Sequence, residues 1–306
     1  MLENLLSIEN PRLFIADLRK TWLDHSIFRG IGFTKDEVIL GESGWLDAES
    51  AIGIEPEDLI SGRFLGVFVK NQIATAYCDP LVQDTLYYWP CPDGRGAVIS
   101  NSFMNLARYL SREGIHLDIY TPALRGFLLF SGGGIGAQLF QEKTPINGVF
   151  MLPRGHFLRI ERRAGGNRVT LEKRPAPSGL EIRPALESFV KNSIRRLRAI
   201  AELPDAEMQC DLSGGRDSRL VFGMLSRSGI SPEAVRLHSQ KSKPEEYAIA
   251  QEVASRFGYS LGGPAVNRGQ RIDSLLKVNN WIFGSAGVYI PFYFGGGTFE
   301  SNKFHL

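Results

Sequence analysis

The sequence feature that most constrains the fold is the segment 211–218, which reads Asp-Leu-Ser-Gly-Gly-Arg-Asp-Ser. Upstream of its centre, apolar residues alternate with polar ones, as in a short strand, at Met208, Cys210 and Leu212. Downstream, apolar residues recur at helical spacing until Gly229, at Leu220, Val221, Met224 and Leu225. The segment is therefore predicted to form the turn between a strand and a helix.

The residue types in this turn are those that hold the phosphates of a nucleotide. Gly214 and Gly215 lack a Cβ, so the backbone can take left-handed angles and approach an anion closely, next to the outward N–H groups of a helix start. Ser213 and Ser218 are candidate donors to phosphate oxygens, and Asp217 is a candidate Mg²⁺ ligand. The alternative is an ordinary turn in which Asp217 or Ser218 only caps the helix.

These residues carry a resemblance to a known family. The stretch 213–218 resembles the signature loop of the ATP pyrophosphatase superfamily, and the context 210–220 is most similar to the asparagine synthetase group. It is not a Walker A loop, because no Gly-Lys-Ser/Thr follows. In that group the ATP domain, of the adenine nucleotide alpha hydrolase-like type, follows an N-terminal glutamine amidotransferase domain.

The pattern of the first ~175 residues favours a β-rich layer. Short runs separated by turn residues indicate antiparallel strands at 64–69, 73–77, 85–89, 98–100 and 157–160, with helices at 103–110 and 122–129. The turn-rich stretch 174–179 is the predicted linker, which gives domains 1–175 and 180–306. Residues 132–137 match a dinucleotide fingerprint formally, but the acid expected about 20 residues later is missing, so a mobile loop is favoured.

The second domain alternates helices and strands. Helical spacing after the linker predicts an amphipathic helix packed on a core through Leu186, Phe189, Val190, Ile194, Leu197 and Ile200. A strand at 235–239 and a helix at 244–257 that Gly258 stops follow the motif. This order implies an α/β domain with a parallel doubly wound sheet and a ligand at the carboxyl ends of its strands.

Three stretches of the first domain, 62–68, 79–88 and 153–158, resemble the class II amidotransferase fold, an α+β pair of stacked antiparallel sheets. In a working glutaminase of that class the nucleophile is an N-terminal cysteine, whereas Leu2 follows Met1 here. Cys78 and Cys91 are predicted to lie within strands or turns. We therefore expect this domain to be a structural relic or a docking surface rather than a glutaminase.

A second departure from the resemblance concerns the C-terminus. The family's synthetase domain carries a further glycine-rich, acidic phosphate loop, and the sequence ends at Leu306, about where that loop would begin. Gly295, Gly296 and Gly297 do not substitute for it, because Glu300 falls three residues later. We expect either a fragment or a partner chain that supplies the rest.

The composition of the sequence limits the partners and the cellular location that we expect. A net charge of +2 favours no polyanionic partner, so neither nucleic acid nor a membrane surface is expected. Three cysteines without metal-type spacing suit a reducing compartment, and no leader or long apolar stretch is visible. The expected location is the cytoplasm.

The resemblance implies a ligase. A substrate carboxylate would attack the α-phosphorus of Mg·ATP, and an amine would then take the acyl-adenylate to form an amide. Asp217 and Ser218 would be catalytic, with ATP contacted by Leu212, Ser213, Gly214, Gly215, Asp217, Ser218, Leu237 and Ser239, and Mg²⁺ by Asp217. Arg216 and Arg219 either aid phosphate binding or face solvent. The alternatives are a non-catalytic or truncated nucleotide-binding scaffold and an RNA-modifying pyrophosphatase; a homo-oligomer is possible in each case.

Overall fold

The computed structural model describes residues 13–122, 125, 142–175, 181–203, 206–262 and 303–305. These residues divide into two compact units, the first within 13–175 and the second comprising 181–262 with 303–305. The predicted helix at 122–129, except for residues 122 and 125, and the glycine-rich segment 132–137 lie outside the described residues, as does most of the predicted linker at 174–179.

The first unit is a mixed α+β unit built mainly of antiparallel strands. Its elements in chain order are β1 (Ile15–Asp17), β2 (Ile27–Phe33), β3 (Val38–Leu40), α1 (Gly41–Ile52), a 3-10 turn (Pro56–Asp58), β4 (Ser61–Lys70), β5 (Ile73–Cys78), β6 (Tyr87–Pro90), β7 (Ala97–Ser100), α2 (Phe103–Arg112), β8 (Phe150–Met151), β9 (His156–Glu161) and β10 (Arg168–Lys173). The strands form a four-stranded sheet in the order β1-β7-β6-β8 and a six-stranded sheet in the order β10-β9-β5-β4-β2-β3.

The two sheets stack face to face around a shared apolar core. Leu65 and Val67 of β4 pack in one cluster with Tyr88 of β6 and Ile99 of β7, so this cluster joins the inner faces of both sheets. Because side chains alternate along a strand, Phe64 and Phe68 of β4 lie on the opposite face. There they pack against Trp45 of α1 in a second, aromatic cluster.

A third cluster lies on the outer face of the four-stranded sheet. Trp89 and Val98 pack there against Phe103, Leu106 and Leu110 of α2. Ser102 caps this helix, since its hydroxyl accepts from the N–H of Asn105 at 3.3 Å. The unit therefore has four layers, in the order α1, six-stranded sheet, four-stranded sheet and α2.

The second unit contains α3 (Ile182–Ala201), β11 (Glu207–Asp211), α4 (Arg216–Ser226), a 3-10 turn (Pro232–Ala234), β12 (Val235–His238), α5 (Pro244–Arg256) and β13 (Lys303–His305). Its three described strands form a sheet in the order β12-β11-β13, and both pairs are parallel. The left-handed Gly258, at φ 78°, follows α5 and ends it as expected.

The prediction that the apolar stripe of α3 packs against a core was wrong for the N-terminal half of this helix. Leu197 and Ile200, near the end of α3, are buried, but Leu186 is 56% exposed and Phe189 is 49% exposed. The stripe is continuous in sequence, but only its C-terminal part meets a core within the described residues. Helical spacing defines the apolar face of a helix but not how much of that face a neighbour covers.

Candidate nucleotide site

The motif forms the predicted strand-to-helix turn. β11 ends at Asp211, residues 212–215 make the turn, and α4 begins at Arg216. Leu212 anchors the turn to the sheet, since this residue is only 1% exposed and its N–H donates to the carbonyl of His238 at 2.8 Å. The turn thus continues the parallel pairing of β11 with β12 before the chain enters the helix.

Two serine hydroxyls hold the turn in shape. The Ser218 hydroxyl lies 2.9 Å from the Ser213 hydroxyl and accepts the Ser213 N–H at 3.1 Å. The Ser213 hydroxyl also accepts the N–H of Gly215 at 3.1 Å. Both predicted phosphate donors are therefore engaged within the turn in this structure, and a phosphate would have to compete with those hydrogen bonds or share them.

Other N–H groups of the turn remain available. The N–H groups of Gly214, Arg216 and Asp217 donate to no acceptor among the described residues. Those of Arg216 and Asp217 belong to the first turn of α4, where no partner exists within the helix. Unpaired N–H groups and the positive end of the helix dipole favour an anion at this position.

The left-handed backbone angles that the two glycines permit are not adopted. Neither Gly214 nor Gly215 is among the residues with positive φ, and Gly215 has φ −73° and ψ 157°. Packing against α5 limits the size of a side chain at Gly214. A Cβ on Gly214 would lie 3.4 Å from the Cα of Glu246 and from the Cδ1 of Ile249, both in α5.

Asp217 lies in the first turn of α4 and is exposed, so its carboxylate is accessible to a cation. The described residues contain no group of three or more His, Cys, Asp or Glu that could hold a metal ion. A lone carboxylate suits Mg²⁺ only where phosphate oxygens and water complete the octahedron. Asp217 therefore fits a cation that arrives with a nucleotide.

The two arginines that flank the turn differ in their contacts. Arg219 is tied to the turn, since its Nε donates to the Gly215 carbonyl at 3.1 Å. Arg216 is exposed and forms no ion pair with a described residue. Arg216 is therefore the arginine that is free to meet a phosphate.

The predicted adenine contacts lie on the neighbouring strand. Leu237 is fully buried in β12 and its carbonyl accepts the N–H of Gly262 at 2.9 Å, so its side chain belongs to the core. Ser239 follows the strand and is 8% exposed. β12 ends at His238, one residue before the predicted end of the strand.

Sequence reasoning missed a side-chain pair beside the turn. Asp211 and His238 are register partners at the carboxyl ends of β11 and β12, and His238 Nδ1 lies 3.0 Å from Asp211 Oδ1. The Asp211 side chain is 69% exposed and that of His238 is 23% exposed. The available signal was an acid and a histidine that each end a strand, but the register that joins them is non-local.

The thiols of the described residues are poorly suited to nucleophilic chemistry. Cys78, Cys91 and Cys210 are all buried. Burial raises the pKa of the Cys78 thiol to about 12, and burial likewise raises the pKa of Cys210 to about 12. Since the thiolate is the nucleophile, neither residue offers a reactive sulfur near neutral pH.

Asp79, the first residue of the stretch 79–88, organises a turn. It is fully buried and accepts the N–H groups of Leu81 at 2.9 Å and Gln83 at 3.0 Å. In the stretch 153–158, Gly155 has φ 73° and His156 Nδ1 lies 3.1 Å from the carbonyl of Arg154. Both features shape the chain locally.

Comparison of the chain with protein-family models and with curated proteins finds no match. Within the part of the chain that the structure describes, every helix is too short or too polar to cross a lipid bilayer.

Proposed function

We propose that this protein is an ATP-dependent carbon–nitrogen ligase of the asparagine synthetase type. It would adenylate a substrate carboxylate, release pyrophosphate, and pass the acyl group to an amine. The observation that carries the proposal is the turn 212–215 at the carboxyl end of a parallel strand, with unpaired N–H groups at the start of α4.

The role of each residue follows from its position. The N–H groups of Gly214, Arg216 and Asp217 would receive the departing pyrophosphate, together with the two serine hydroxyls once they exchange partners. The Asp217 carboxylate would hold Mg²⁺, which supplies charge neutralisation on the phosphates when bound. The backbone near Leu237 and Ser239 would border the adenine.

The wider architecture supports the same proposal. The three parallel strands with intervening helices agree with a doubly wound, adenine nucleotide alpha hydrolase-like domain, and the two stacked antiparallel sheets agree with an amidotransferase-like first domain. We propose that the first domain serves as a structural or docking element, and that the protein acts in the cytoplasm.

A second candidate function is a nucleotide-binding scaffold without catalysis. The observation that favours it is the internal bonding of the turn, in which Ser213, Gly215 and Ser218 satisfy one another. A turn of this kind binds an anion through fewer groups than the ligase mechanism uses.

Two measurements separate these functions. Titration calorimetry with Mg·ATP tests binding, and ATP–pyrophosphate exchange in the presence of a panel of carboxylic acids tests adenylation. The ligase proposal predicts binding heat and acid-dependent exchange, both lost in Asp217→Ala. Glu202→Ala is the matched control, because Glu202 is an exposed acid at the end of α3, outside the turn.

The outcomes decide between the candidates. Binding without exchange for any acid in the panel supports the scaffold. Absence of binding, or equal loss in Glu202→Ala, contradicts both.

A further inference from the structure

The first unit contains a pocket whose walls are strongly basic. Its volume is about 240 Å³, and it lies where the segment after β1 meets the turn between β9 and β10. Among the described residues, five cationic side chains and no carboxylate line it: Arg19, Lys20, Arg95, Arg162 and Arg163.

Carboxylates hold four of these cations from outside the pocket. The pairs are Arg19 with Asp17, Lys20 with Glu113, Arg95 with Asp93, and Arg163 with Glu161. A guanidinium has five N–H donors, so an arginine that pairs on one edge retains donors on the other. These ion pairs therefore hold the cations in place, and the three arginines among them keep N–H donors that their carboxylates do not use.

Arg162 is the cation without a carboxylate partner among the described residues. Its guanidinium lies over the ring of Trp22, 5.8 Å from the ring centroid. Trp22 itself lines the pocket. Its ring therefore contacts both the guanidinium of Arg162 and the space that a ligand would fill.

Hydrogen bonds to backbone carbonyls hold the walls of the pocket together. Asn167 Nδ2 donates to the carbonyl of Leu18 at 2.8 Å and to that of Arg95 at 2.9 Å, which ties two walls together. Gly96, at φ 135°, allows this approach, since a Cβ there would lie 2.7 Å from the Leu18 carbonyl oxygen. These contacts fix the position of the segment after β1 relative to the turns that carry Arg95 and Asn167.

We propose that this basic pocket binds the phosphate group of a small molecule. Planar guanidinium forks match phosphate oxygens, and several forks around one pocket favour a multiply charged oxyanion over chloride. The volume is below the ~300 Å³ at which pockets for drug-sized ligands begin, which favours a phosphate or a small phosphomonoester over a whole nucleotide. This site is independent of the turn at 212–215 and of the function proposed for it.

The test uses Trp22 as a local reporter. The full chain is labelled with 5-fluorotryptophan, and the Trp22 signal among the four tryptophans is assigned by ¹⁹F NMR with Trp22→Phe. Potassium phosphate and O-phosphoserine are titrated separately, each against potassium chloride at equal ionic strength. Reporting from Trp22 excludes signal from phosphate bound elsewhere.

The expected result is a saturable shift of the Trp22 signal with a phosphate-bearing probe and none with chloride. The tighter of the two probes identifies whether free phosphate or a phosphomonoester is the preferred source. Arg162→Gln and Arg163→Gln should each weaken binding about tenfold or more, as expected for loss of a charge-assisted hydrogen bond. Both side chains are exposed, so the fold should tolerate their replacement.

Arg168→Gln is the matched control, because Arg168 is an exposed arginine of β10 that does not line the pocket. The proposal is overturned if neither phosphate probe produces a saturable shift, if chloride produces the same shift, or if Arg168→Gln weakens binding as much as the two pocket variants.

Discussion

At the scale of single residues, Gly214 illustrates how packing against a neighbouring helix can limit the size of the side chain at a motif position. Its neighbours Glu246 and Ile249 would stand 3.4 Å from an added Cβ, at the edge of normal contact. A methyl group therefore nearly fits, whereas a branched side chain does not.

We expect Gly214→Ala to change the free energy of unfolding by less than about 1 kcal/mol, and Gly214→Val to lower it by about 1–3 kcal/mol through overpacking against α5. Urea denaturation of both variants measures this. Gly223→Ala and Gly223→Val are the controls, because no atom lies within 4 Å of a Cβ at Gly223. A large loss in Gly214→Ala would contradict the packing account.

The Asp211–His238 pair should contribute little to stability despite its 3.0 Å separation. The carboxylate is mostly exposed, so solvent screens the attraction. A double-mutant cycle with Asp211→Ala and His238→Ala should give a coupling of about 0.2–1 kcal/mol in denaturation experiments. A coupling above about 2 kcal/mol would show that the pair is a structural support rather than an accessible group beside the turn.

At the scale of elements, the local pattern of the motif was a strong guide. The strand, turn and helix around residues 211–218 were predicted from alternation and helical spacing, as were β4, β5, β9 and α2. The helix α1 was missed, because only Trp45 and Ala48 of its residues are buried, which is too short a stripe to reveal a helical period. The pairing of Asp211 with His238 depends on strand register, which no local pattern encodes.

The uneven burial of α3 gives a test within one helix. Leu186→Ala should change the free energy of unfolding by less than about 0.5 kcal/mol, since that side chain is largely exposed. Leu197→Ala should lower it by about 2–5 kcal/mol, because its side chain is buried. Chemical denaturation compares the two directly, and equal losses would show that the N-terminal half of α3 is also covered.

Asp17 links β1 to α2 and should make stability depend on pH. Burial acts to raise the pKa of its carboxyl, but hydrogen bonds from Arg19 and Tyr109 outweigh burial and hold the pKa below its ordinary value of 3.8. The Tyr109 hydroxyl donates to the carboxylate at 2.8 Å. A carboxyl with a lowered pKa stabilises the fold above its unfolded pKa, and this contribution is lost as the pH falls through the folded pKa.

Accordingly, Asp17→Asn should lower the free energy of unfolding by about 1–3 kcal/mol near neutral pH. The difference from the wild type should shrink as the pH falls below about 4. Denaturation curves over this range measure the difference, with Asp36→Asn as the control, because Asp36 is an exposed acid for which a small difference near neutral pH is expected. A difference that grows in acid would have the wrong sign.

At the scale of the whole molecule, the first unit combines two stacked antiparallel sheets with thiols that are shielded from solvent. Cys78 lies at the end of β5, inside the core shared by the two sheets. The Cys78 thiol is therefore not accessible to a substrate in solution, which is the basis of the next prediction about the proposed structural or docking role.

We expect no release of glutamate from glutamine by the intact protein, and no effect of Cys78→Ala on that result. In the same preparation, a thiol reagent should react slowly with the native protein and with all three cysteines after denaturation, since burial raises the pKa of each thiol. Robust glutamate release that Cys78→Ala abolishes would refute the structural role.

The strand β4 contributes to two separate hydrophobic clusters. Phe64 packs in the aromatic cluster with α1, and Leu65 packs in the core between the two sheets. Side chains at neighbouring positions along this strand can therefore be replaced independently of one another, because they pack in different clusters. The changes in the free energy of unfolding caused by one substitution at an even position and one at an odd position should add. Two substitutions at positions two residues apart share a cluster, so one should be able to compensate for the other.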